Sequence, residues 1–115
     1  GGKQTHRYQP YLERTLGSRM KFSWDPDKEK INRRKHKVAF FDACHVFADK
    51  CLLTVYDEEH SADEERWISM GQISNGKILV VVHTYKCTKK REFVRIISAR
   101  MANEKESREY LTRRF

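Results

Sequence analysis

Apolar residues recur along this chain at two spacings, and the change from one to the other separates a helical opening from a sheet-forming remainder. Phe40, Ala43, Cys44, Phe47 and Ala48 fall at i, i+3, i+4, i+7 and i+8. That is one apolar stripe and predicts a core-packing helix over about 40–49. The stretch before it, about 26–36, is strongly polar, with Ile31 its only large aliphatic residue, so a helix there lies on the surface. Asp25-Pro26 marks its start: the Asp25 side chain can cap free backbone N–H groups, and Pro26 at the first helical position gives up no donor that the helix uses. Upstream, Phe22 and Trp24 alternate within 20–24, as a short edge strand or an extended lead-in.

Beyond the second helix the pattern shortens to strands. Residues 52–56 form the first candidate, followed by an acidic connection, "DEEHSADEE". The second covers 66–73 and ends at Ser74-Asn75-Gly76, a strong hairpin-turn signal. The third, 77–85, is apolar on both faces and is therefore expected at the centre of a sheet. A basic turn over 86–90 leads to the fourth, 92–99. Short turns between neighbouring strands predict an antiparallel meander. A last helix begins near Asn103, with Glu106 three positions on in a capping-box arrangement, and runs toward Phe115. The expected fold is α+β: two N-terminal helices, a four-stranded antiparallel sheet and a C-terminal helix, with the helices on one face.

At 115 residues the chain has room for one domain, expected over 20–115. Residues 1–19, with a double-Gly start and a Gly17-Ser18-Arg19 junction before Met20, read as a cloning remnant or an upstream extension. No apolar run approaches the roughly 18 residues of a membrane-spanning helix, and no signal peptide is recognised. Cys44, Cys51 and Cys87 are odd in number and lack CxxC spacing, unlike a disulfide framework or a zinc site. A reducing cytoplasm is expected, with no metal and no cofactor.

Charge adds a partner. Lys and Arg number 24 against 16 Asp and Glu, for a net charge of +8. Such a surface is either simply solvated or binds a polyanion. No long Lys/Arg block occurs, so a basic site has to be assembled by folding. An RNP-like aromatic pair, a GxxG loop and a helix-turn-helix pattern are all missing, which weakens the case for a non-catalytic nucleic-acid-binding module. A protein-interaction domain is a further rival.

The stretch "WDPDKEKINRRKHKVAF" resembles the opening signature of the BrnT family, matching at Trp24, Asp25, Lys28, Asn32, Lys35, His36, Val38 and Phe40. "VFAD" at 46–49, the loop ending "HSADEERW", "GKILVVVHT" at 76–84 and "VRIISARMANEKESREY" at 94–110 follow in order. The family usually places Gly after the Lys-His pair, where this chain has Lys37; the left-handed helix cap that Gly would serve is expected to survive. The resemblance implies a fold similar to RelE-type toxins and RNA cleavage that arrests growth. It also implies a ribbon-helix-helix antitoxin, in a hetero-oligomer that represses its own promoter.

Metal-independent RNA cleavage uses the ribose 2′-OH as nucleophile. It needs a base for that proton, cations for the charge gathering on phosphorus, and an acid for the leaving 5′ oxygen. The catalytic candidates are His83, Arg95, Arg100, Arg66 and His36; Lys35, His60, Arg108 and Tyr110 are candidates for RNA contact. Strand alternation puts His83 with Leu79 and Val81, Arg95 with Phe93 and Ile97, and Arg100 with Val94, Ile96 and Ser98. Structural alternatives stand beside each role. Arg95 can bridge Asp42 or Asp49, Arg66 can pair with Glu64 or Glu65, and His83 can be a satisfied core histidine. His36 can cap helix carbonyls, and Arg100, at a strand end, is the freer arginine to reach a phosphate. Arg108 and Tyr110 can belong to a merely solvated helix.

Overall fold

The computed structural model describes residues 19–113. The expected remnant at 1–19 lies outside the described residues except for Arg19, as does Phe115. The elements are β1 (Met20–Trp24), α1 (Pro26–His36), α2 (Phe40–Ala43) continuing as a 3₁₀ turn (Cys44–Ala48), β2 (Leu53–Tyr56), a 3₁₀ turn (Glu58–His60), β3 (Trp67–Gln72), β4 (Ile78–His83), β5 (Lys86–Cys87), β6 (Glu92–Met101) and α3 (Glu104–Arg113).

Instead of four antiparallel strands the described residues form six in a mixed sheet, ordered β1-β6-β4-β3-β2 with the short β5 also on β6. β1 runs parallel to β6, from Met20 opposite Glu92 to Trp24 opposite Ile96. It earns its place by inserting Phe22 and Trp24, both buried, into the core. β4 is central, as its two-sided apolar run requires. The Asn75-Gly76 turn forms as expected, with Gly76 at φ 88° and its N–H donating to Ile73 O at 2.9 Å.

The helices are not confined to one face. Leu79 and Val81 of β4 pack with Phe22, Trp24, Phe40 and Cys44, under α2 and the Val38 junction between α1 and α2. Ile78 and Val80 point the other way and pack with Met70 and Tyr110, under α3. A strand apolar on both sides needs cover on both sides, and α3 supplies the second layer. Its start is the expected capping box: Glu106 N–H donates to Asn103 Oδ1 and Asn103 N–H to Glu106 Oε1, each at 2.8 Å.

The α2 stripe differs in its second half. From Cys44 the winding tightens to three residues per turn, which aligns Phe40, Ala43 and Val46, all wholly buried. Val46 thus takes the core position expected of Phe47, which is half-buried, while Ala48 is exposed.

α1 starts as expected, with Asp25 Oδ1 accepting from Asp27 N–H at 2.9 Å. It ends at Lys37 in the left-handed region (φ 60°, ψ 28°), whose N–H donates to Arg33 O at 2.9 Å. Its contact with the sheet is polar: Ile31 is 63% exposed, and Asn32 is the buried residue. β1 stops opposite Ile96, leaving the β6 edge beyond it uncovered. Asn32 fills that gap. Its Oδ1 accepts from Ala99 N–H at 3.1 Å, and its Nδ2 donates to Ala99 O at 2.8 Å and Val38 O at 3.3 Å. One side chain replaces a missing strand. Asn32→Leu leaves a buried N–H and two carbonyls unpaired, so unfolding in urea should show a loss of about 2–4 kcal/mol.

A bulge in β6 changes which arginine faces where. Pairing steps from Val82–Ser98 to His83–Ile96, skipping Ile97. Simple alternation fails across it. Val94, Ile96 and Ala99 share the α1–α2 core. Arg100 lies opposite Val80 and therefore on the α3 face, not with Val94 and Ile96 as expected. No helix among the described residues is long and apolar enough to cross a membrane.

Candidate active site

The acidic loop between β2 and β3 folds against the start of β3 and is tied down by its own polar groups. Asp57, buried, donates its N–H to Arg66 O at 2.9 Å and accepts from His60 Nδ1 at 3.1 and 3.2 Å. Ser61 Oγ accepts from Arg66 N–H at 3.0 Å. These bonds position Glu64, whose carboxylate takes both terminal nitrogens of Arg95, one at 3.2 Å.

Charge from residues other than Arg95 also acts on that carboxylate. The bond from Arg95 holds the Glu64 carboxyl below the usual range, and the charges of Arg95, Arg66 and Lys86 add to the effect. Trp67 and Ile96 each pair with His83, whose strand mates Leu79 and Val81 lie in the α1–α2 core. By alternation, Arg66 and Arg95, next to those residues, turn toward the opposite face. Three cations thus act on one carboxylate at an end of the sheet, Arg95 by direct contact and Arg66 and Lys86 through their charge. Arg66 Nε is buried and has no hydrogen-bond partner among the described residues. A buried donor left open in this way calls for an acceptor.

The other candidates fall elsewhere. His83 is 2% exposed on the α1–α2 side. Its Nδ1 donates to Thr84 O at 2.9 Å, since a carbonyl only accepts. Nε2 must then accept from Ser69 Oγ at 2.7 Å, and Ser69 is bonded in turn to Thr54 at 2.8 Å. The ring meets Phe47 edge-on at 4.9 Å and lines an apolar pocket of about 380 Å³ with Trp67 and Tyr85. Burial pushes its pKa below the ordinary 6.5. The folded state resists a proton that the unfolded state accepts, so stability is full above pH 6.5 and falls as pH drops through 6.5 toward the depressed value. Melting temperatures between pH 7.5 and 5 should show that slope, and His83→Gln should flatten it.

Arg100 is not free to reach a phosphate. It holds Glu106 through two bonds of 2.8 Å, and this pair pushes the Glu106 carboxyl down to about 2. Tyr110 is 1% exposed, with its hydroxyl on the Asp49 carboxylate, so it is a core residue and not an RNA contact. Asp49 also accepts from Gln72 N–H at 2.7 Å and Cys51 N–H at 2.9 Å. Arg108 is exposed beside Glu104, 3.8 Å away. Lys35 and His36 line a hollow against the β6 edge, apart from the arginine cluster.

The structure therefore joins Arg66 and Arg95, with His60 on the same loop as Glu64. Arg95 has Glu64 as a partner where Asp42 or Asp49 was expected. Glu64 itself and Lys86 were missed as site residues; the signal for them was an acidic loop and a basic turn at neighbouring strand ends. Among the described residues, no three His, Cys, Asp or Glu side chains are arranged to hold a metal ion.

Comparison with known proteins gives three findings. The fold is similar to the crystal structure of the Brucella abortus ribonuclease toxin BrnT, with a TM-score of 0.50 and 23% identity, covering 70% of this chain and 94% of that one. No curated protein matches the chain. The family model for the ribonuclease toxin BrnT of type II toxin–antitoxin systems matches residues 24–106. The chain belongs to that family of ribonuclease toxins.

Proposed function

We propose that the chain is a metal-independent endoribonuclease and that RNA is cut at the Glu64–Arg66–Lys86–Arg95 cluster. The observation that carries this reading is the two-nitrogen grip of Arg95 on Glu64, with the open Arg66 Nε nearby and the charges of Arg66 and Lys86 acting on the same carboxylate. A phosphodiester offers the same two-oxygen geometry that Arg95 takes from Glu64. Once the phosphate replaces Glu64 on Arg95, the carboxylate loses the bond that depresses its basicity and can take the 2′-OH proton. The 2′ oxygen then bonds to phosphorus and the bond to the 5′ oxygen breaks. Arg66, Lys86 and Arg95 hold the charge that gathers between those events. His60, oriented through Nδ1 by Asp57, offers Nε2 to protonate the departing oxygen.

The products are a 2′,3′-cyclic phosphate and a free 5′-hydroxyl. Purified protein should yield these ends from RNA with or without EDTA, and a single 2′-deoxy residue at the cut should block cleavage. RNA that stays intact while still bound would instead assign a non-catalytic binding module.

Membership of a type II family implies an antitoxin partner. The reading extends to a ribbon-helix-helix antitoxin, a hetero-oligomer on promoter DNA, a cytoplasmic site of action and growth arrest when the toxin is unopposed. Co-expression with the protein encoded next to it, followed by copurification and a growth assay, checks these together.

A further inference from the structure

We infer that the outer surface of α1 is a second phosphodiester-binding site, gripping the RNA strand away from the position where it is cut. β1 ends opposite Ile96, so beyond that point the edge of β6 away from β4 has no strand beside it among the described residues. Asn32 closes the backbone there but leaves a concavity of about 250 Å³. Lys28, Lys35 and His36 stand around it on α1, with Ile97 and Ser98 as its floor. The spacing of Lys28, Ile31 and Lys35 is three, then four, which puts them on one helical face.

The charge there is one-sided. From Lys28 to Lys37 the chain carries Lys28, Lys30, Arg33, Arg34, Lys35 and Lys37 against Glu29 alone. Glu29 is already committed to Arg33 at 3.5 Å and to Phe40 N–H at 3.3 Å. Lys28 and Lys35 have no carboxylate partner among the described residues. Two ammonium groups suit phosphate oxygens as point charges. His36 adds a hydrogen-bonding group, and Ile31, 63% exposed, offers an apolar platform for a sugar or a base edge. An exposed aliphatic residue flanked by two lysines on one helical face suits a ligand that is anionic at one end and apolar at the other. A single nucleotide step is such a ligand.

The inference rests on the chain acting on RNA, yet its test needs no cleavage. The probe is a 2′-O-methyl RNA strand of about a dozen nucleotides, which has no free 2′-OH to attack. Binding is followed by fluorescence anisotropy from low to moderate salt. Lys28→Ala/Lys35→Ala should reduce the slope of log K against log salt by about 1.4, equivalent to roughly 25-fold weaker binding at 0.1 M salt. Lys77→Ala/Lys105→Ala removes the same charge elsewhere and should change the slope far less. Lys28→Arg/Lys35→Arg should restore binding. An unchanged slope in the α1 variant overturns the site, even if binding to duplex DNA is lost. An equal loss in the control variant overturns it too, because net charge alone would then account for the effect.

Discussion

Arg95→Ala is expected to lower RNA cleavage by about 10²–10³-fold while the protein stays folded, the loss typical of removing one preorganised donor from a developing oxyanion. Folding should survive because the pair it breaks is not deeply buried. The Arg95 side chain is 23% exposed and that of Glu64 41%, so the released carboxylate is hydrated rather than stranded. An ion pair screened to that degree contributes about 0–1 kcal/mol to stability. Arg95→Lys should recover only part of the activity, since an ammonium cannot reproduce the two-nitrogen grip. Rates on a defined RNA, set beside melting temperatures, check both halves. Full cleavage by a folded Arg95→Ala protein would remove the cluster as the cutting site. A different profile is expected from Arg100→Ala, which breaks the bonds to Glu106 and so acts on the packing of α3.

Much of the scaffold could be read from local patterns, and the failures have identifiable causes. The Asp25-Pro26 start of α1, the Asn75-Gly76 turn, the central β4 and the Asn103–Glu106 cap all depend on neighbours within a few residues. Sequence spacing reports such features directly. The parallel pairing of β1 with β6 depends on residues distant in the chain, and nothing in the spacing of Phe22 and Trp24 names a partner. The β6 bulge is likewise invisible in the sequence, yet it moves Arg100 to the α3 face, where Glu106 takes it. Alternation counted through Ile97 therefore gave the wrong environment.

The candidate site was legible only in part for the same reason. Arg95 stood out as an arginine between apolar strand positions, and Arg66 as the residue where the acidic loop meets a strand. Glu64 and Lys86 did not, because each sits in a charged loop where a solvated side chain is the ordinary outcome. Their meaning appears once the β2–β3 loop and the turn after β4 are brought to one end of the sheet. His83 misled in the opposite direction. An imidazole titrating near neutrality suggests acid–base work, but both ring nitrogens are engaged by Thr84 and Ser69, and burial disfavours protonation of the ring.

Glu64→Gln separates the two roles given to that carboxylate, and its expected signature is a pair of effects in opposite directions. As the present occupant of Arg95, Glu64 competes with phosphate, so neutralising it should tighten binding of non-cleavable RNA. The gain should shrink as salt rises, because it comes from unbalanced charge on Arg66, Lys86 and Arg95. As the base for the 2′-OH, the same carboxylate is needed for the chemical step, so cleavage at saturating RNA should fall by about 10²–10⁴-fold. A residue that merely braced the loop would lose binding and rate together when replaced. A pure electrostatic gate would gain both. Only a carboxylate that blocks the phosphate site at rest and takes a proton once displaced gives tighter binding with slower cutting. Measuring Kd on 2′-O-methyl RNA and kcat on the unmodified strand with one preparation of Glu64→Gln therefore tests the occupant role and the base role independently.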